Sequence, residues 1–197
     1  LKELAAQALR AEGLESLLGL EGYAGRLYFQ AFPSLFKKAG LKFELTGRNR
    51  RPPLDPVNAM LSFAYSLLAR DLTATLQAVG FDPYQGYYHQ PRYGRPALAL
   101  DLMEPFRPLI ADSVVLWCLN NGVLSPEDFI YAANACNMGP SARKSFIQAY
   151  ERRMDELVTH PTFGYRLNYR QLLGVQAHLF GRHLAGELEK VPTFRTR

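Results

Sequence analysis

The sequence has few cysteines and no long apolar segment, and these two deficits exclude several classes of protein. Its 197 residues include two cysteines, Cys118 and Cys136, which belong to no CxxC motif and accompany no paired histidine motif. A zinc site is therefore not expected, and both thiols are predicted to be reduced core residues of a cytosolic protein. No apolar run approaches the roughly 20 residues of a membrane-spanning helix, so no membrane partner is expected.

A large charge of either sign is also absent. The formal net charge is +5, with 21% charged and 48% hydrophobic residues, which is ordinary for a globular protein. The small basic excess is compatible with a nucleic-acid partner, but it does not identify one.

Strand patterns are scarce, and only residues 41–46 (LKFELT) resemble a strand. Elsewhere apolar residues recur at helical spacings, so the predicted fold class is all-α. Pro105 and Pro108 lie inside one helical pattern, where a kink or a break is expected. A short helix is predicted to start at Ser125-Pro126. The other predicted helices cover residues 1–12, 14–36, 56–79, 96–119, 141–158 and 168–189.

One loop and the helix after it concentrate the residues that could carry chemistry. Residues 81–95 are rich in Gly, Pro and Tyr, and they are predicted to form a loop that contains His89. Asp101 and Glu104 follow, and their three-residue spacing places both on one face of the next helix. Their neighbours are mostly apolar, and carboxylates in such surroundings require a cation, hydrogen bonds or a proton.

Simpler interpretations of these residues remain open. Arg107 lies three residues beyond Glu104, so the two acids could form salt bridges along the helix. His89 could be a loop histidine that hydrogen-bonds to the backbone.

The segment from Gly86 to Pro108 (GYYHQPRYGRPALALDLMEPFRP) closely resembles the signature of the CRISPR-associated spacer-acquisition integrases, the Cas-one family. In that family a loop histidine precedes a helix that opens with Asp-x-x-Asp or Asp-x-x-Glu. Residues 20–29 (LEGYAGRLYF) are similar to the helix with the family's first metal-binding glutamate, although Gly25 replaces a more usual alanine. Residues 50–59 (RRPPLDPVNA) are similar to the start of its long central helix. The resemblance covers essentially the whole chain.

The resemblance implies a metal-dependent DNA integrase and endonuclease that inserts captured fragments (spacers) into a CRISPR array by 3′-hydroxyl attack on a phosphodiester. Carried over by position, the metal ligands are Glu21, His89 and Glu104, with Asp101 as a further ligand or a supporting acid. One imidazole with two or three carboxylates suits Mg²⁺ or Mn²⁺. The implied partners are double-stranded DNA (the fragment and the repeat array), a second copy in a homodimer, and the small dimeric bridging protein of the Cas-two family.

The resemblance also predicts the domain organisation. The family's N-terminal β-rich domain has no counterpart in this sequence. Residues 1–12 are expected to be the end of the connection to it, and residues 13–197 the helical catalytic domain. A preceding segment is expected, because the chain starts inside a helical pattern without Met; fusions to a reverse transcriptase or a nuclease occur in this family.

Basic residues near these motifs are candidate phosphate contacts. The densest basic region, which includes Arg48, Arg50 and Arg51, could equally be a solubilising loop. Arg92 and Arg95 lie in the loop that contains His89. The candidate DNA-binding residues are Arg48, Arg50, Arg51, Arg92 and Arg95.

Other polar residues are given supporting or surface roles. Asn58 lies early in an apolar helix and is predicted to hydrogen-bond near the site, and Arg107 is a further supporting residue. Arg152 and Arg153 are predicted to lie on a solvated helix face.

Two other functions remain open at this stage. A transposon-encoded integrase of the same fold would insert the ends of a mobile element. A non-catalytic helical domain would bind DNA while its acids only formed salt bridges.

Overall fold

The computed structural model describes residues 1–194, so the last three residues of the predicted 13–197 domain lie outside it. Seven α-helices and two short β-hairpins form the described part of the chain. The helices are α1 (Lys2–Ala8), α2 (Leu14–Ala31), α3 (Pro56–Val79), α4 (Ala97–Met103), α5 (Ser113–Asn120), α6 (Pro140–Asp155) and α7 (Tyr169–Leu184). The strands are β1 (Phe129–Ala132), β2 (Ala135–Met138), β3 (Leu157–Thr159) and β4 (Arg166–Asn168).

The all-α prediction is wrong, because β1 pairs with β2 and β3 with β4 in two separate antiparallel sheets. The protein is therefore mixed α/β, with helices dominant. The short helix predicted from Ser125-Pro126 is a single 3₁₀ turn, Pro126–Asp128, which leads into β1. The strand-like residues 41–46 contain no strand.

The first hairpin was missed because its turn lacks the usual sequence signal. Ala133 and Asn134 join β1 to β2, and both have positive φ, 47° and 61°. A two-residue turn of this kind is normally marked by Asn-Gly or Asp-Gly. Ala133 gives no such signal, and short apolar strands are hard to distinguish from helix by periodicity.

Helix α3 begins and ends at the predicted residues. The Asp55 side chain accepts a hydrogen bond from the Asn58 N–H at 2.8 Å, as an N-cap residue does. Pro56 occupies the first helical position, where its missing N–H has no consequence. The helix stops before Gly80, whose φ of +102° suits glycine.

The helix that carries the candidate acids is broken where its prolines predict. Helix α4 gives way to a 3₁₀ turn at Glu104–Phe106 and then to a π turn at Arg107–Asp112. Regular α-helix resumes at Ser113. Pro105 and Pro108 cannot donate backbone hydrogen bonds, so the ordinary helical pattern cannot continue through this stretch.

The chain forms two compact units. The first contains residues 1–62 and 116–143, and its core includes Phe32, Phe43 and Phe129. The second contains residues 63–115 together with the segment from residue 144 onward. Its core includes Phe106, Ile110, Phe146, Tyr150 and Leu172. None of the helices in the described range is long and apolar enough to cross a lipid bilayer.

The turn between β1 and β2 gives a testable prediction. Asn134→Val should lower the free energy of unfolding by about 1–2 kcal/mol, because a β-branched residue is strained at positive φ. Urea denaturation measures this change. The control is Asn137→Val at an exposed position of β2, where a β-branched side chain is favoured. Equal losses in the two variants would show that the turn conformation does not set the cost.

Candidate active site

The Asp101 carboxylate organises the loop that carries His89. Its Oδ2 accepts hydrogen bonds from the backbone N–H groups of Tyr87 at 2.7 Å and Tyr88 at 3.0 Å. Its Oδ1 accepts from the His89 N–H at 2.8 Å and lies 2.7 Å from His89 Nδ1. A carboxylate has about four lone-pair positions, so these four contacts occupy it fully. Of the two roles left open for Asp101, this geometry favours the supporting acid.

The contact with Asp101 determines which nitrogen of His89 could bind an ion. A carboxylate oxygen accepts hydrogen bonds, so Nδ1 carries the proton and the neutral ring keeps its lone pair on Nε2. Both side chains are largely buried, with 17% exposure for His89 and 12% for Asp101. Carboxylate–histidine pairs of this kind support metal-binding histidines.

Packing against two helices holds this loop in place. An added Cβ on Gly86 would lie 2.5 Å from the His89 carbonyl oxygen and 2.6 Å from Ala97 Cβ, so only glycine fits there. The ring of Phe180 in α7 contacts the rings of Phe81 and Tyr87, with centroids 5.7 and 5.8 Å apart. The position of His89 therefore depends on helices α4 and α7.

Glu104 lies where α4 ends, and it forms the salt bridge that the simpler interpretation expects. Arg107 Nη1 donates to Glu104 Oε1 at 2.9 Å and to Oε2 at 2.7 Å. The Glu104 side chain is 36% exposed, and each of its oxygens keeps a second lone pair. Glu104 thus accepts hydrogen bonds from Arg107, whereas Asp101 accepts hydrogen bonds from the loop of His89. The two acids therefore have different surroundings.

Arg107 is held in turn by two residues that the sequence patterns did not assign to the site. Its guanidinium carbon lies 4.5 Å from the centroid of the Tyr65 ring, and the Tyr65 hydroxyl donates to Asp112 Oδ1 at 2.6 Å. Burial and the Asp112 carboxylate raise the pKa of Tyr65, which stays protonated. The only signal for Asp112 was one acid in a strongly apolar helical stretch.

The charge of Arg107 is stable in these surroundings. Burial disfavours its charged form, but the Glu104 carboxylate and Tyr65 outweigh that effect and raise its pKa. Arg107 therefore remains a fixed cation beside Glu104.

The other basic candidates of the second unit, Arg92 and Arg95, lie at the tip of the loop. The Arg95 N–H donates to the Arg92 carbonyl at 3.0 Å, and Gly94 has a φ of +68°. This turn leaves Arg92 exposed and Arg95 partly buried. Their contact with phosphate stays a prediction.

Arg48 is turned inward in the first unit, where it binds Asn58. Asn58 is fully buried, and its Oδ1 accepts from Arg48 Nη1 at 2.7 Å. Asn58 Nδ2 donates to the Gly47 carbonyl at 2.8 Å and to Asp55 at 2.6 Å. The hydrogen bonding predicted for Asn58 is present, and these partners lie around the start of α3.

The remaining candidates of the first unit are exposed. Arg50 and Arg51 follow Arg48 in the basic segment, and Glu21 lies on α2. Their predicted roles in DNA binding and metal binding stay predictions.

The donor set can be compared with the Mg²⁺ or Mn²⁺ site that the resemblance implies. Within residues 1–194, no three His, Cys, Asp or Glu side chains lie close enough together to hold one ion. The second unit supplies an imidazole nitrogen, His89 Nε2, and a partly exposed carboxylate, Glu104. Mg²⁺ usually keeps several waters and takes only one or two protein carboxylates, so these two groups suit part of such a site.

The hydrogen bonds of Asp101 generate a testable prediction. Asp101→Asn should lower the free energy of unfolding by about 1.5–3 kcal/mol, because an amide nitrogen replaces one of two charged acceptors. It should also speed amide hydrogen exchange at residues 87–89, measured by NMR. The control is Asp82→Asn in the same loop, where the exposed Asp82 side chain accepts from the Tyr84 N–H. Equal losses in both variants would contradict the organising role of Asp101.

Comparisons with known proteins give the chain its family. The family model for "CRISPR associated protein Cas1" matches residues 1–152. A Cas4/Cas1 fusion from Geobacter sulfurreducens, a CRISPR-associated exonuclease and endonuclease, is 57% identical over 193 residues, which are 96% of this chain and 34% of the relative. A CRISPR-associated endonuclease Cas1 from Thermus thermophilus is 46% identical over 197 residues, which are 100% of this chain and 58% of the relative. The chain therefore spans only part of the length of these relatives.

Solved structures have the same fold. A Cas1 protein from Thermotoga maritima gives a TM-score of 0.84 at 26% identity, over 100% of this chain and 59% of that one. A partial Cas6-RT-Cas1–Cas2 complex gives a TM-score of 0.83 at 28% identity, over 100% of this chain and 58% of that one. A casposase bound to an integration product gives a TM-score of 0.83 at 24% identity, over 94% of this chain and 53% of that one. At this identity the likeness is one of fold alone. The family match over well over half of the chain and the identities to curated relatives together show that this chain belongs to the Cas1 family.

Proposed function

We propose that this chain is the catalytic part of a metal-dependent DNA integrase and endonuclease that inserts captured DNA fragments into a CRISPR array. The observation that carries the proposal is the 2.7 Å contact between Asp101 and His89 Nδ1, which leaves Nε2 as the ligand nitrogen. The names of the relatives from Geobacter sulfurreducens and Thermus thermophilus, both of which include endonuclease, support it.

His89 Nε2 and the Glu104 carboxylate would hold Mg²⁺ or Mn²⁺, and Glu21 is the further ligand that the family resemblance supplies. A bound ion of this kind polarises a scissile phosphodiester and favours the deprotonated form of an attacking 3′-hydroxyl or water. Asp101 accepts the hydrogen bond of His89 Nδ1, so the ring presents Nε2 to the ion and its orientation is fixed.

Arg107 would supply the second positive charge of the site. Its planar guanidinium can donate two parallel hydrogen bonds to a phosphate. In this structure the same group donates to both oxygens of Glu104. If Glu104 held the ion, Arg107 would keep its contact with the Tyr65 ring and could donate to a phosphate oxygen.

The proposed partners are those of the family. A solved casposase holds an integration product, and a solved Cas1 complex contains Cas2. For this chain we propose duplex DNA, a Cas2-family bridging protein and a second copy of the chain. Arg50, Arg51, Arg92 and Arg95 are the proposed phosphate contacts because their charges suit the DNA backbone.

One observation favours a non-catalytic function, namely the salt bridge between Glu104 and Arg107. If that pair were only structural, the acid would support the helix break and would take no part in chemistry. No such observation favours the transposon-encoded alternative, whereas a CRISPR-associated relative is 57% identical to this chain.

The test is Glu104→Gln, which keeps the shape of the side chain and removes its charge. Cleavage and integration with Mg²⁺ or Mn²⁺ should fall by roughly 100-fold or more, since an ion ligand is lost. Activity is measured per folded molecule, with folding followed by circular dichroism. The control is Glu151→Gln, which breaks an exposed pair with Arg170 and should leave activity unchanged. A Glu104→Gln protein of lower melting temperature and full activity would show that the acid is structural.

A further inference from the structure

Arg153 of α6 holds the backbone of the π turn that contains Arg107. Its Nε donates to the Leu109 carbonyl at 2.9 Å, and its Nη2 donates to the same oxygen at 2.6 Å. Ser113 Oγ adds a third donor to that oxygen at 2.8 Å. Arg153 was expected on a solvated helix face, and that prediction is wrong because its guanidinium binds this carbonyl.

Side-chain donors contact the π turn where its backbone bonding departs from that of a regular α-helix. Pro108 has no N–H, and the Ser113 N–H donates to Ile110 instead of Leu109. A regular α-helix would supply the Leu109 carbonyl with the N–H of Ser113, four residues later. Arg153 therefore binds a carbonyl oxygen that a regular α-helix would pair with the Ser113 N–H.

The width of this turn brings two site residues to the same partner. Arg107 and Asp112 are five residues apart, and both contact Tyr65, one at the ring and the other at the hydroxyl. In an α-helix, residues five apart point about 140° away from each other at 3.6 residues per turn. The i→i+5 bonding of a π turn brings such residues to adjacent positions. The contacts to Tyr65 thus depend on the π geometry.

Arg153 is itself fixed from two sides. Its guanidinium carbon lies 4.7 Å from the centroid of the Tyr169 ring, and Nη2 donates to the Tyr169 hydroxyl at 3.1 Å. Its Nη1 also pairs with Glu156. Tyr169 is 2% exposed, and burial raises the pKa of its hydroxyl against the opposing charge of Arg153. The Arg153 guanidinium, which donates to Leu109, therefore packs on the buried Tyr169 ring.

We propose that Arg153 is a positioning residue for the active site, acting through the Leu109 carbonyl. It keeps Arg107–Asp112 in the π form, and that form orients Arg107 toward Glu104 on one side and Tyr65 on the other. The catalytic consequence rests on the proposed function, whereas the stabilisation of the Arg107–Asp112 turn by Arg153 does not.

The test compares Arg153→Lys with Arg182→Lys. Lysine keeps the charge but loses the planar fork that reaches both Leu109 and Tyr169. Amide exchange across residues 107–114, measured by NMR or mass spectrometry, should be about tenfold faster in Arg153→Lys. The kcat for DNA cleavage should fall about tenfold with little change in KM for DNA. The same substitution at Arg182, an exposed partner of Glu187, should change neither quantity.

Tyr169→Phe is the second variant, because it removes one hydroxyl and keeps the ring that supports Arg153. It should also speed amide exchange across residues 107–114 and lower kcat, each by a smaller factor than Arg153→Lys does. Unchanged exchange in Arg153→Lys would overturn the proposal, and so would faster exchange with an unchanged kcat. An unmodified protein without metal-dependent activity would count against the proposed function, and the exchange rates would then still decide whether Arg153 holds the turn.

Discussion

The Asp101 carboxylate and the four donors around it form the interaction on which the rest of the candidate site depends. Three of those donors are consecutive backbone N–H groups of a Gly/Pro-rich loop, and the fourth is the ring of His89. One buried charge therefore sets both the path of the loop and the tautomer of the histidine. Such a charge would be costly without these partners, so the loop and α4 stabilise each other.

The break between α4 and α5 positions the part of the candidate site that contains Glu104 and Arg107. Two prolines prevent a regular helix, and the resulting 3₁₀ and π turns place Glu104, Arg107 and Asp112 in one stretch of irregular backbone. Irregular turns of this kind occur often at functional sites. Here the irregularity brings Arg107 and Asp112 to a single tyrosine, which a regular helix of the same sequence would not do.

The sequence predicted the helices well because most are long and carry clear start and stop signals. Pro56, Gly80 and the pair Pro105 and Pro108 each act locally, so their effects could be predicted residue by residue. The first hairpin could not be predicted, because Ala133 adopts a positive φ that alanine does not signal. The different surroundings of Asp101 and Glu104 also escaped sequence reasoning, since spacing places both on one face but does not identify their partners. Arg153 was missed for the same reason, because its acceptor lies 44 residues away in the chain.

The central claim is that Asp101 presents His89 Nε2 as a ligand to a divalent ion. Pulsed electron paramagnetic resonance of bound Mn²⁺, with histidine labelled by ¹⁵N at Nε2, tests it directly. The chain has four histidines, so His89→Gln is paired with His178→Gln, which changes an exposed histidine of α7. The account predicts a directly bound ¹⁵N that persists in His178→Gln and disappears in His89→Gln. A nitrogen coupling that survives His89→Gln, or no nitrogen coupling in the unmodified protein, would contradict it.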